Sequence, residues 1–344
     1  MAPREAGAGS AGVSGRTQAP HDVHAPDGPV AGVVALSTGS AYTYGLGRTF
    51  RLAADAGYEG VEVIIDERWD TRQHAYLNRL ARETGVAILS MHGPFPSQKV
   101  AGWPSDEVAR VAEAVRLCEA VGARTLNLHL PERFRVASVS AMGRRFLIPF
   151  GGATPSMHRF SNWLTDGGLD EAQSSTSVQI VIENLPMRRV FGRRVHAHSF
   201  NDWEAFRQFR AVCLDTTHLG TTGADLLEVA ARLGARIAHV HLSDYDGRNE
   251  HLLPGRGSLP LEPFVQWLGR RKFGGIIVVE LSPHGLAAHD EVRLANEFAQ
   301  AREFVAGAYR AGSMVDRSFL LASPAPTSSP ARSSRESEVR SMAK

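Results

Sequence analysis

Two rhythms of apolar and polar positions alternate along this chain. Eight short apolar runs read as β-strands: VVALSTG (33–39), GVEVII (60–65), ILSMHG with His92, TLNLHL with His129, IVIEN with Glu183, VCLDTTH with Asp215 and His218, AHVHLSD with His241 and Asp244, and IIVVEL with Glu280. Between them lie stretches that read as helices: GRTFRLAADAGY, RQHAYLNRLARETG, SDEVARVAEAVRLCEAVG, ADLLEVAARLGA and LEPFVQWLGRRKFGG, with ANEFAQAREFVAGAYR closing the series. The clearest helix is the one after Ser105. Ser105 can cap it, Asp106 and Glu107 suit its positive end, and Gly122 suits its C-terminal turn. Repeated strand–helix units predict a parallel sheet, and eight of them predict an α/β fold, a closed (β/α)8 TIM barrel. No G-x-G-x-x-G follows the first run, which argues against an open dinucleotide-binding sheet.

Composition sets the limits of the folded part. Residues 1–29 and 316–344 are rich in Ala, Ser, Pro, Gly and Arg without periodicity, and both are expected to be disordered. That leaves one domain over 30–315. Its longest interval between apolar runs, 133–176, is an insertion with a helix expected over MHRFSNWLTDG. Long loops after barrel strands commonly shape the substrate pocket.

Of the 344 residues, 43% are hydrophobic and the formal net charge is +2, so no global field draws the chain to nucleic acid or membrane. No run approaches the roughly 18 apolar residues of a membrane span. The start lacks a secretory signal core, and a cytoplasmic enzyme is the expectation. Cys118 and Cys213 read as small buried hydrophobes, and their spacing forms neither a disulfide framework nor a cysteine zinc motif.

The ends of the runs carry the chemistry. Glu183, Asp215 and Glu280 each close an otherwise apolar strand. A carboxylate there is costly to bury unless something positive pairs with it, and a divalent cation does so. Ligand-type side chains at the ends of different strands are what a parallel barrel offers at its C-terminal face. His241 lies nearer its strand end than His239. The two are expected to face opposite sides, with His239 packed structurally. His92, His129 and His218 sit at or just past strand ends, where they can bind substrate or a further ion. His196 and His198 are expected at the surface of a basic loop. In DYDGRNEHLLPGRG (244–257), Gly255 and Gly257 permit close backbone approach, and Arg248, His251 and Arg256 can reach a sugar hydroxyl or phosphate.

The ordered set HGPF, ENLP, DTTH, HVHLSD, HLLPGRG and VVEL resembles the xylose isomerase-like TIM barrels over about residues 33–310. That superfamily includes sugar isomerases and epimerases, inosose dehydratases and the endonuclease IV type of DNA-repair enzyme. Carried over by position, the resemblance implies a site of Glu183, Asp215, His241 and Glu280 for one Mn, Mg, Co or Zn ion. It further implies Glu183 and Glu280 as proton-transfer groups, and His92, His129, His218, Arg248 and His251 around the substrate. In the endonuclease branch His92, His129, His218, an Asp and His251 complete a three-zinc cluster. Here Asn249 stands where that Asp would be, and it carries no charge to offer zinc.

The activity expected is a divalent-metal-dependent isomerase or epimerase, acting through an enediolate on a sugar, sugar phosphate or related polyol ketone. One alternative is a zinc phosphodiesterase acting on abasic DNA. Another is a non-catalytic barrel with a binding role. Dimers or tetramers are common among related barrels, so a homo-oligomer is open.

Overall fold

A computed structural model of the chain describes residues 32–314, apart from 97, 142–143 and 191–192; the expected disordered segments 1–29 and 316–344 lie outside the described residues. Twelve strands are described: β1 (Val33–Ser37), β2 (Gly60–Ile64), β3 (Ala87–His92), β4 (Thr125–His129), β5 (Arg135–Ala141), β6 (Arg144–Phe150), β7 (Gln179–Glu183), β8 (Arg188–Val190), β9 (Arg193–Val195), β10 (Val212–Asp215), β11 (Ile237–Leu242) and β12 (Ile276–Val279). Eight of them close a barrel in the order β1-β12-β11-β10-β7-β4-β3-β2, every pair parallel. These are the eight apolar runs. The other four form two antiparallel hairpins, β5 with β6 and β8 with β9.

Strand alternation divides the side chains between two environments. Val34, Leu36, Val61, Val63, Met91, Leu126, Ile182, Leu214, Val240 and Ile277 point outward and join one continuous core with the surrounding helices. Each such side chain contributes about 1.5–3 kcal/mol on burial. The inward positions differ. Ala35, Ile276 and Val278 make a small separate apolar cluster. Other inward positions are polar: Glu62 pairs with Ser90, His92 with Asn127, His129 with Glu183, and Asp215 with His241. Barrel interiors are usually filled with Val, Ile and Leu, so a polar lumen marks the functional end.

Local signals explain the helix ends. The helix Glu107–Val121 stops at Gly122 in the left-handed conformation, φ 74°. Its N-cap is Asp106 rather than Ser105: the Asp106 carboxylate accepts from the Ala109 N–H and also from Arg159 Nε at 3.0 Å. The carboxylate therefore serves cap and ion pair together, which a Ser hydroxyl cannot. The insertion holds the expected helix, Pro155–Thr165, plus the β5–β6 hairpin and the short helix Gly168–Ser174. The closing helix runs over Glu291–Met314, longer at both ends than its apolar pattern suggested.

Candidate metal centre

The upper lumen brings side chains from the ends of six strands, β3, β4, β7, β10, β11 and β12, to one point. Glu183, Asp215, His241 and Glu280 have ligand atoms all within 4.8 Å of one another. Glu183 sits at the middle. Its Oε1 lies 3.2 Å from His218 Nδ1 and 3.3 Å from His241 Nδ1. Its Oε2 lies 3.2 Å from His129 Nε2 and 3.3 Å from His92 Nε2, and accepts a 2.6 Å hydrogen bond from Asn127. Glu280 Oε2 is 2.8 Å from His241 Nδ1, and Asp215 Oδ2 is 3.8 Å from the same atom.

Backbone and neighbours fix these groups. Asp215 ends β10 and caps the next helix, Thr216–Thr222, accepting from the His218 N–H at 2.7 Å through Oδ1. Asn184 clasps the backbone of Asp215 on both sides, donating to its carbonyl at 3.0 Å and accepting from its N–H at 2.8 Å. His218 Nδ1 lies 2.9 Å from the Asn184 carbonyl, and His92 Nδ1 lies 2.7 Å from that of Gly93. His251 takes φ 56°, an uncommon backbone state for a residue with a side chain. Its ring meets that of His218 edge-on at 5.1 Å.

Three atoms aimed into the centre are buried without a hydrogen-bond partner: Asp215 Oδ2, His241 Nδ1 and Glu280 Oε2. Buried polar atoms are ordinarily satisfied. Two carboxylate oxygens and a ring nitrogen, orphaned together, form the donor set that a divalent cation takes. The residues present therefore fit a metal ion. Charge balance agrees. Burial raises the Asp215 carboxyl, and Glu183 and Glu280 beside it add to the rise against the pull of His218 and His251. Burial opposes ionisation of Glu280, yet His241 draws it down to about 2. Burial likewise opposes charge on His218, but Asp215 and Glu183 lift it to about 9. Burial also works against charge on His241, which Cys213, Glu62, Glu280 and Glu183 nonetheless lift well above the usual histidine range.

Two further ligand-type groups flank the first. His92, His129 and Glu183 form one, and Asp215, His218 and His251 form the other. Asn249 is in neither. It is exposed and donates to Asp246 Oδ2 at 2.8 Å. Arg248 is also exposed on this turn, where Asp246 Oδ1 accepts its backbone N–H. Arg256, read as a substrate contact, is committed elsewhere: it donates to Glu297 at 2.9 Å and to the Gly285 carbonyl at 3.1 Å. Asp244 organises the loop. Its Oδ2 accepts from the Gly255 and Gly257 N–H groups, and Oδ1 accepts from Tyr245 and Leu259. A Cβ at Gly257 would collide with Asp244 and the Tyr245 backbone, and Gly255 needs φ 85°.

Two readings of histidines are corrected. His239 and His241 are two apart on one strand and therefore share a face; both rings point into the lumen, 5.3 Å apart. His198 is half-buried rather than exposed on the surface. The loop after β9 pairs with the end of β4 through Arg133 N–H to the Ala197 carbonyl and Ser199 N–H to the Pro131 carbonyl. This buries His198 Nδ1 without a partner; burial first, then His129 and Arg188, push its ring down to about 3.

Cys118 and Cys213 are both buried and free, as expected. Cys213, however, groups with His239 and His241 on the lumen face, a neighbourhood that cysteine spacing does not reveal. Sequence reading also passed over Asn127 and Glu62. Each is a polar residue at an inward position of an apolar run, and that period-two placement was the available signal.

A cavity of about 450 Å³ opens beside Glu280 and His251. Tyr42, Phe95 and the ion-paired Asp66 and Arg68 line it, the pair meeting at 2.7 Å. Its size suits a small-molecule ligand.

A family model of xylose isomerase-like TIM barrels matches residues 50–304. An uncharacterised protein of Mycobacterium leprae is 29% identical over 297 residues, covering 79% of this chain and 97% of that protein. Among solved structures, a D-allulose 3-epimerase from Methylomonas sp., in complex with D-allulose, is 18% identical with a TM-score of 0.56, covering 81% of this chain and 98% of its own. An AP endonuclease of family 2 from Brucella melitensis is 16% identical with a TM-score of 0.54, covering 75% and 96%. At these identities the two structures share the fold with this chain. Among the described residues no helix is long and apolar enough to cross a membrane.

Proposed function

Because this chain belongs to the xylose isomerase-like TIM-barrel family, we propose that it is a divalent-metal-dependent isomerase or epimerase of a sugar, sugar phosphate or related polyol ketone. The observation that carries this reading is the orphaned set Asp215 Oδ2, His241 Nδ1 and Glu280 Oε2 around Glu183. Its mixed oxygen and imidazole donors suit Mn, Mg, Co or Zn. A bound ion would polarise a substrate carbonyl and offset the charge that develops on its oxygen.

The chain's own residues supply the rest. Glu183 ends β7 and Glu280 follows β12, three strands along the barrel, and their carboxylates meet at the centre within 4.8 Å. One removes the proton from the carbon beside the carbonyl, and the other, or the same one, returns it. Return to the same carbon from the other face gives an epimer; return to the neighbouring carbon gives an isomer. His218 and His251 bind substrate oxygens, and Arg248 would need its exposed turn to fold inward to join them. His92 and His129 stand under Phe95, ring centroids 5.4 and 4.9 Å away, and bind hydroxyls on the far side. The cavity beside Glu280 receives the remainder of the substrate. A ketose epimerase among the structural neighbours supports this substrate class.

The test is proton exchange. Ketoses incubated with metal-loaded protein in deuterated water should exchange the α-proton, and Glu183→Gln should abolish it. No exchange across a broad panel of ketoses and their phosphates would reject the reading.

A second reading rests on one observation, the His92–His129–Glu183 group that shares Glu183 with the first. A second ion there would suit a phosphodiesterase acting on abasic DNA. Nicking of an abasic duplex, with binding that weakens steeply as salt rises, would support it. Asn249, uncharged and bonded to Asp246, weighs against a third ion.

A further inference from the structure

Glu62 is a carboxylate at the middle of β2, and none of its surface reaches solvent. Its described partners are two imidazoles and no Arg or Lys. Oε2 accepts from His239 Nε2 at 2.9 Å. Oε1 lies 2.9 Å from His241 Nε2, off the direction of the ring N–H, so this is a charge contact rather than a formed hydrogen bond. Burying a carboxylate costs several kcal/mol even when paired, and Val or Ile would fill this lumen position at no such cost. The second imidazole contact explains its presence.

His241 has two ring nitrogens with different surroundings. Nδ1 faces Glu280, Glu183 and Asp215 at 2.8, 3.3 and 3.8 Å. Nε2 faces Glu62 alone among the described carboxylates. We propose that Glu62 is a positioning residue: it holds the His241 proton on Nε2 and so turns the Nδ1 lone pair toward the metal centre. His239 completes the device by anchoring the other oxygen of Glu62, which stops the carboxylate from rotating away. A carboxylate behind a ligating histidine fixes both the tautomer and the angle of the ring. Glu62 touches neither substrate nor ion. The inference rests on the metal reading given above, and it adds a residue from below the ligand layer.

The measurement uses the full chain with Zn²⁺ or Mn²⁺ alone, in competition with a chelator of known affinity. Glu62→Gln keeps the shape but not the charge. It should bind either ion 10- to 100-fold more weakly, about the usual cost of losing such a partner, while its circular dichroism matches wild type. In histidine-¹⁵N spectra of the Zn²⁺-loaded wild type, His241 should carry its proton on Nε2, shifted downfield by the adjoining Glu62 carboxylate. The same spectra of Glu62→Gln should show that Nε2 proton without the downfield shift. Unchanged ion affinity in folded Glu62→Gln overturns the proposal and leaves the metal site standing. If Glu62→Gln does not fold, the wild-type spectrum decides: an Nε2 proton of His241 without a downfield shift, or a proton on Nδ1, overturns the proposal, and a downfield Nε2 proton supports it. A wild type that binds neither ion removes the metal reading and this inference with it.

Discussion

Asp215→Asn separates a metal ligand from a structural carboxylate. Asp215 does two things with two oxygens. Oδ1 caps the helix Thr216–Thr222 through the His218 N–H, while Oδ2 is the orphan aimed at Glu280 and His241. Asn keeps an oxygen for the cap, worth about 1 kcal/mol, and places an uncharged amide at the orphan position. The wild-type carboxyl is held up by burial, with Glu183 and Glu280 adding to the rise, so its charge burdens the metal-free fold. The substitution should therefore leave the chelated protein as stable as wild type or more so.

With metal the sign reverses. At a free ion concentration of about 100 times Kd, binding stabilises by about 2.7 kcal/mol. If losing the carboxylate weakens affinity about 100-fold, only about 0.4 kcal/mol remains at the same concentration. The difference of about 2.3 kcal/mol corresponds to a Tm lower by about 4 °C for a domain of this size. Thermal melts of both proteins, with excess ion and with chelator, read this directly. The same loss of Tm in both conditions would refute the argument, because it would make Asp215 a fold residue and not a ligand.

Four other outcomes are expected. Glu183→Gln should keep the fold and lower turnover by on the order of 10² or more, because it removes a proton-transfer group; near-normal kcat on the natural substrate would sink that role. Ion affinity should rise with pH, since the ligand His241 must lose a proton that its carboxylate neighbours hold above the usual histidine range. Stability of the metal-free protein should run the other way. The His218 contribution is full below the unfolded histidine value near 6.5 and is lost as pH rises through about 9, and melts across that window would show it. Asp106→Ala should cost about 1 kcal/mol by urea unfolding through loss of the cap on Glu107–Val121. That cost should shrink as pH falls, because Arg159 holds the Asp106 carboxyl below its usual range and protonation in acid removes the same interaction.

Much of this centre is legible in the chain because strands end where their chemistry begins. Glu183, Asp215, His241 and Glu280 each stand at or near the end of an apolar run, and closing the barrel brings those ends together. The lumen below is less legible. Glu62 and Asn127 interrupt apolar runs from the inside, and a polar residue within such a run reads as noise until the register shows what faces it. His239 illustrates the same point, since period-two alternation already puts it on the face of His241. Loop residues were the hardest to place. Arg248 and Arg256 share a short polar turn, yet one stays exposed and the other reaches Glu297, forty-one positions away. Nothing local to the turn specifies that pairing. Ser105 and Asp106 are equally good caps by type, and the choice was made by Arg159, fifty-three residues on.

The central claim is that the barrel mouth holds a catalytic ion, and metal analysis of the purified protein beside Asp215→Asn tests it most directly. The account predicts about one Mn, Mg, Co or Zn per wild-type chain, reduced in the variant under the same conditions. A wild type that takes up no divalent ion, or a variant that retains it at undiminished affinity, would contradict it.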